Sequence, residues 1–216
     1  MHTERHGRVR ALRSGRAGGA GLLLALGLSA CATPGAPTVE SAGLAAGASA
    51  APERGPGDLL PGWRSETIAL PPGFAPTLPA GTETLRFAPD AFVEGSETLW
   101  TYCFAARAEG DWTGPERLSE FFRTYIDGLS AAVAAGKGVT DLPPTRARFR
   151  MEDGGTAVGG AQVFDGFVRL EPFRLLLRVD ADFNGQSTAL RVRASPRPFD
   201  DPIWTVLDAE ARRIEL

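Results

Sequence analysis

Apolar positions recur with different periods in different parts of the chain, and the period marks the element. Two short segments, Ser65–Leu70 and Glu83–Phe87, read as strands. The proline-rich stretch Pro71-Pro72-Gly73-Phe74-Ala75-Pro76 between them can only be an irregular or extended connection. Thr98 to Ala108 is rich in aromatics and bounded by Glu-Gly-Ser before and Glu-Gly-Asp after, which predicts a further strand. The period then changes. Leu118, Phe121, Phe122, Tyr125, Ile126, Leu129 and Val133 recur at steps of three and four, so a helix with one broad apolar face starts near Thr113. Pro115 is tolerated in its first turn, where a missing N–H costs nothing, and Gly136 and Gly138 end it.

The second half returns to period two. Arg146, Arg148 and Arg150 alternate with Ala147, Phe149 and Met151, giving a strand with one charged and one buried face. Residues 154–160 are glycine-rich and predict a loop, leading to a strand from Ala161 to Leu170 that Glu171-Pro172 breaks. Asn184-Gly185 predicts a hairpin with a two-residue turn. That turn would set Val179 opposite Leu190, Leu177 opposite Val192 and Leu175 opposite Ala194 on one face. The other face would carry Arg178, Asp180, Asp182, Arg191 and Arg193, with Asp180 diagonal to Arg191. Asp200-Asp201-Pro202 signals a last helix whose apolar side is Ile203, Val206, Leu207 and Ile214. The order of elements predicts an α+β domain over residues 62–216: an antiparallel sheet packed on one face by one long amphipathic helix and a C-terminal helix.

The N-terminus follows a different logic. Arg5, Arg8, Arg10, Arg13 and Arg16 precede an apolar run from Ala17 to Ala30. A basic segment followed by so short an apolar one predicts a secretory signal over residues 1–30, since a spanning helix needs roughly 20 apolar residues. Leu28-Ser29-Ala30-Cys31 resembles the lipobox of bacterial lipoproteins. The resemblance implies leader cleavage before Cys31 and diacylglyceryl modification of its thiol, usually with acylation of the new N-terminus. Two or more acyl chains anchor a protein stably where one does not. Ala32 follows the cysteine, where the resemblance would put an aspartate for inner-membrane retention, so the expected address is the outer membrane, facing the periplasm. Residues 32–61, dominated by Ala, Gly, Pro and Ser, bury too little apolar surface to offset their ordering entropy and are expected to act as a flexible tether.

Charge and composition narrow the function. The leader takes five of the 23 basic residues and one of the 26 acidic ones, so residues 31–216 carry a net charge of −7. That disfavours nucleic acid as a partner and leaves the lipid as the membrane contact. Both histidines, His2 and His6, lie in the leader. Without them the remaining chain cannot build a Ser-His-Asp or Cys-His arrangement, a histidine-ligated metal or a histidine pH switch. Cys103 is then the one thiol besides Cys31, and within its apolar strand it reads as a small buried hydrophobe.

Specific chemistry is sparse. Asp180-Ala181-Asp182-Phe183-Asn184-Gly185 matches the opening of a calcium loop, but Arg191 stands where the bidentate glutamate should be, and the hairpin explains the same residues. Gly154-Gly155 and Gly159-Gly160 complete no phosphate-loop pattern. Neither a metal nor a cofactor is expected. Arg146, Arg148, Arg150, Arg178, Arg191 and Arg193 would share one surface if their strands are neighbours. Arginine forks bind carboxylates and phosphates bidentately, although acids such as Asp180 and Asp182 could equally balance a solvated face. Carboxylate catalysis needs no histidine, and Glu66, Glu94, Glu97, Asp111 and Asp165 are available. Asp165, between Phe164 and Gly166 in an apparent strand, is the candidate because an inward acid is costly unless paired. Trp63, Trp100, Tyr102, Phe104 and Trp112 would line an apolar groove or pack a core. The expectation is a membrane-anchored lipoprotein whose domain binds an envelope protein or ligand. A histidine-free hydrolase and a carrier of a lipid or small apolar ligand are the alternatives.

Overall fold

The computed structural model describes residues 62–216. The predicted leader, Cys31 and the tether lie outside the described residues. Three strands open the fold as a meander: β1 (Arg64–Leu70), β2 (Gly81–Phe87) and β3 (Tyr102–Glu109). Helix α1 (Pro115–Ala135) then carries the chain to the far edge of the sheet. From there β4 (Arg146–Met151), β5 (Thr156–Phe164), β6 (Pro172–Phe183) and β7 (Ser187–Ser195) return as a second meander, and α2 (Ile203–Arg212) closes the chain. β7 pairs with β3, so a single seven-stranded sheet runs β1-β2-β3-β7-β6-β5-β4 with every pairing antiparallel. This is the α+β class that the alternation of periods predicts.

The two helices, expected on one face, divide between the two. Leu118, Phe121, Phe122, Tyr125 and Ile126 of α1 join Phe104, Ala106, Leu175, Leu177, Val179, Leu190, Val192 and Ala194 in the main core; we call this side of the sheet the inner face. Helix α2 buries Trp204, Leu207 and Ala211 against Cys103 and Ala105, which point the other way from β3. The reason lies in β3 itself. Tyr102 to Ala106 is buried at every position, so this central strand needs cover on both sides. Asp201 accepts the Ile203 N–H (2.9 Å) just ahead of α2, whose N-cap residue is Pro202.

Three further expectations are corrected. The hairpin keeps its faces but not its register: Val179 pairs with Val192, Leu177 with Ala194, and Asp180 with Arg191 directly. Phe183 and Thr188 are the last ladder pair, and the Asn184 N–H donates to the Ser187 carbonyl (3.2 Å) just beyond it, so the turn is centred on Gly185-Gln186, one residue later than predicted. The Asn184 side chain accepts the N–H groups of Gln186 (3.1 Å) and Ser187 (3.0 Å), which stabilises this turn. A shift of two preserves which side chains are buried because the strand period is two. Next, Gly159 and Gly160 belong to β5 rather than to a loop. A Cβ on Gly159 would lie 2.1 Å from the Arg148 carbonyl oxygen and 2.8 Å from the Phe149 ring, so only glycine lets β4 approach. Finally, β3 starts at Tyr102 rather than Thr98. Trp100 precedes it in a turn with φ of 56°, buried among Phe92, Phe167 and Phe173.

Candidate functional site

Strand register brings all six arginines singled out from the sequence to the outer face of the sheet, the face on which α2 lies. Arg193 pairs with Arg178 across β7–β6, and Arg191 with Asp180. Arg178 lies beside Val158, which lies beside Arg150, and Arg148 sits beside Gly160. Three arginines that the sequence reading passed over, Arg86 on β2, Arg107 on β3 and Arg174 on β6, have the same phase. Arg86 is opposite Cys103, and Arg174 is opposite Gln162 and thus in line with Arg146.

Helix α2 divides these cations into two populations. Beneath it, Arg193 is buried and reaches Asp208 (2.7 Å) and Asp180 (2.7 Å). Arg86 reaches Glu210 through Nε (2.9 Å) and Nη2 (2.7 Å), and Arg213 pairs with the other carboxylate oxygen. Arg191 donates to the carbonyls of Ala211 and Ile214 at the C-terminal end of α2, where the helix dipole favours a cation. Arg178 stacks on Phe199 and Trp204, 5.1 Å from each ring centroid, and donates to the Phe199 carbonyl (3.3 Å). These four arginines fasten α2 to the sheet.

Beyond the helix, over β4, β5 and the start of β6, the outer face is open. Arg146, Arg148, Arg150 and Arg174 border a groove of about 590 Å³, with Val158 and Phe199 as its apolar part. Arg150 pairs with Glu152 (2.9 Å), and both side chains are exposed. Among the described residues, Arg146, Arg148 and Arg174 have no carboxylate within ion-pair distance.

The acids separate differently. Asp165 is buried, but in the turn after β5 rather than inside a strand. It accepts the backbone N–H groups of Phe167 (3.0 Å), Val168 (2.9 Å) and Arg169 (3.1 Å). Its oxygens thus hold the 165–170 turn together. Asp111 is exposed; its carboxyl is held below the usual range by the Thr113 hydroxyl (2.7 Å) and then by the Thr113 N–H (3.0 Å). Glu66, Glu94 and Glu97 are exposed. The Asp180–Gly185 segment is a strand end and turn, and no metal-holding group of His, Cys, Asp and Glu occurs among the described residues.

Glu83 is the acid that the sequence reading missed. It lies on the inner face of β2 with 1% exposure; among the described residues the Tyr125 hydroxyl is the group that faces its carboxylate, without closing a well-formed hydrogen bond. Burial pushes its carboxyl up to about 8. The nearby Tyr125 hydroxyl offsets part of that, and Glu66 adds to it. The phenols of Tyr102 and Tyr125 are raised in turn, first by burial and then by facing Glu83. Cys103 is fully buried, and burial pushes its thiol up to about 12, as suits an inert core residue.

Fold and surface together define an α+β protein with a two-sided antiparallel sheet and an arginine-lined groove on its outer face. The chain matches no protein-family model, no curated protein and no solved structure.

Proposed function

We propose that this chain is an envelope lipoprotein: a non-catalytic binding domain held on the membrane by lipid on Cys31, with the open half of the outer face as its ligand surface. One observation carries the reading. On a single face of the sheet, the arginines beneath α2 are consumed by Asp180, Asp208, Glu210, aromatic rings and helix carbonyls, while Arg146, Arg148 and Arg174 border a groove and have no carboxylate partner among the described residues. The placement of the acids favours binding over catalysis. Asp165 is spent on its own turn, and Glu83 faces the opposite side of the sheet from the groove.

The anchor and the groove are tested separately. Cys31→Ser should abolish incorporation of labelled palmitate and either release the chain from the membrane fraction or stall it uncleaved. Unchanged pelleting with normal leader cleavage would overturn the anchor. A photo-crosslinking residue at Gln162, exposed in the groove, should trap an envelope component in cells. The same residue at Glu120, exposed on α1, should not. Equal labelling at the two positions, or none at Gln162, would remove the groove as the ligand surface.

A further inference from the structure

Strand register gives the groove a centre. Arg148, Gly160 and Leu176 lie in one row across β4, β5 and β6. The neighbouring rows on the same face are Arg146, Gln162, Arg174 on one side and Arg150, Val158, Arg178 on the other. With strands about 4.8 Å apart and alternate residues about 6.7 Å apart, the four corner arginines mark a rectangle of about 10 by 13 Å. Gly160, which has no side chain, stands at its middle, and Arg148 is its immediate neighbour. The absence of a side chain there is enforced as well as useful: a Cβ on Gly160 would lie 2.9 Å from the Leu175 carbonyl oxygen and 3.6 Å from Arg174 Nε. Four arginines, Arg146, Arg148, Arg150 and Arg174, thus line the groove around Gly160, with the Leu176 and Arg174 side chains within 3.4 and 3.6 Å of where its Cβ would stand.

We propose that this patch is a binding site for a phosphate monoester; the inference rests on the reading of the groove as the ligand surface. Three properties support phosphate over other anions. First, the cations without carboxylate partners among the described residues come from opposite strands, Arg146 and Arg148 from β4 and Arg174 from β6. A planar carboxylate accepts one guanidinium fork edge-on, whereas a phosphate has three acceptor oxygens pointing in different directions and can take donors from both sides at once. Second, these like charges stand together without local compensation, which a ligand of charge near −2 relieves better than a monoanion. Third, Phe199, which borders the groove, is held by Arg178, which stacks on its ring and donates to its carbonyl (3.3 Å), so one wall of the site is already fixed. Val158 and Phe199 beside the arginines provide apolar contact for the body that bears the phosphate. The groove volume of about 590 Å³ lies within the usual small-molecule range of roughly 300–1,000 Å³.

The test uses the chain without its leader and without lipid (residues 31–216 carrying Cys31→Ser), so that vesicle binding reads the groove and neither the leader nor the anchor. Glycerol phosphate should bind saturably by calorimetry in 0.15 M salt. Succinate, matched in charge but built of carboxylates, should bind at least about tenfold more weakly. Arg148→Gln should weaken glycerol phosphate binding by about tenfold with an unchanged thermal midpoint, because Arg148 is exposed on an edge strand. Arg117→Gln, exposed on α1, should leave binding unchanged. Flotation with vesicles containing phosphatidic acid, and not with phosphatidylglycerol vesicles, would assign the monoester to a lipid headgroup; binding of free glycerol phosphate alone would assign it to a soluble ligand. Both results support the site. Failure of glycerol phosphate to bind, succinate binding as tightly, or indifference to Arg148→Gln would each overturn it. A Gln162 crosslink that persists after such a failure would leave the ligand surface standing and remove only its phosphate chemistry.

Discussion

Glu83→Gln should stabilise the domain at pH 9 by several kcal/mol and leave its stability near pH 4.5 almost unchanged. The carboxyl has an ordinary value of 4.5 and about 8 in the fold, where burial dominates. An acid with a raised folded value binds its proton more tightly in the native state than in the unfolded chain. Between those two values the native state therefore carries more protons, and stability falls as pH rises. Below pH 4.5 both states are protonated and the effect vanishes; above pH 8 both are ionised and the loss is complete. At 1.36 kcal/mol per unit, the window spans roughly 4–5 kcal/mol. Glutamine keeps the shape, cannot ionise, and removes this slope. Denaturant midpoints measured from pH 4.5 to 9 on both proteins isolate the effect, because every other titrating group is common to them. Parallel pH profiles would show that Glu83 does not carry the charge penalty its burial implies.

The second large effect belongs to the far side of the sheet. Glu210→Ala should cost about 3–5 kcal/mol, the range for breaking a buried ion pair from one side. Glu210 is fully buried and holds Arg86 of β2 at 2.7 Å and Arg213 at the end of its own helix. Removing it strands a guanidinium whose side chain is only 24% exposed and unties α2 from β2. Glu210→Gln keeps an acceptor oxygen and should cost less. The double variant Arg86→Met, Glu210→Leu should recover most of the loss, since apolar residues can replace a buried pair at little cost. Chemical denaturation of the three proteins checks the order. A Glu210→Ala variant within 1 kcal/mol of the parent would mean that the pair is solvated in practice.

Each buried charge leaves a trace in the sequence that is easy to read past. Glu83 has the same phase as Leu85 and Phe87 in β2, so an acid occupies an apolar position of the alternation. Glu210 falls on the stripe of Leu207, Ala211 and Ile214 in α2. Arg174 continues the phase of Arg178 by two steps of two. A charged residue inside an apolar phase marks a position needing a partner, but the phase cannot name that partner. Arg86 and Glu210 are 124 residues apart in the chain.

The sequence alone determined what depends on local geometry. Period two and period 3.6 define strands and helices, and a strand's parity fixes which side chains share a face; this is why a two-residue error in the hairpin register moved no residue from one face to the other. The same parity made the arginines of β4, β6 and β7 a coherent set before any strand order was known. Only the tertiary structure decided which faces are covered. α1 and α2 are each apolar on one side, and nothing local distinguishes two helices on one face from one helix on each. That choice follows from β3, buried on both sides at the middle of the sheet. It sets the fate of the arginines. α2 packs on β3 and β7 and consumes Arg191 and Arg193 there, with Arg86 and Arg178 on the flanking strands, while β4, at the far edge, and the start of β6 keep Arg146, Arg148 and Arg174 for the groove.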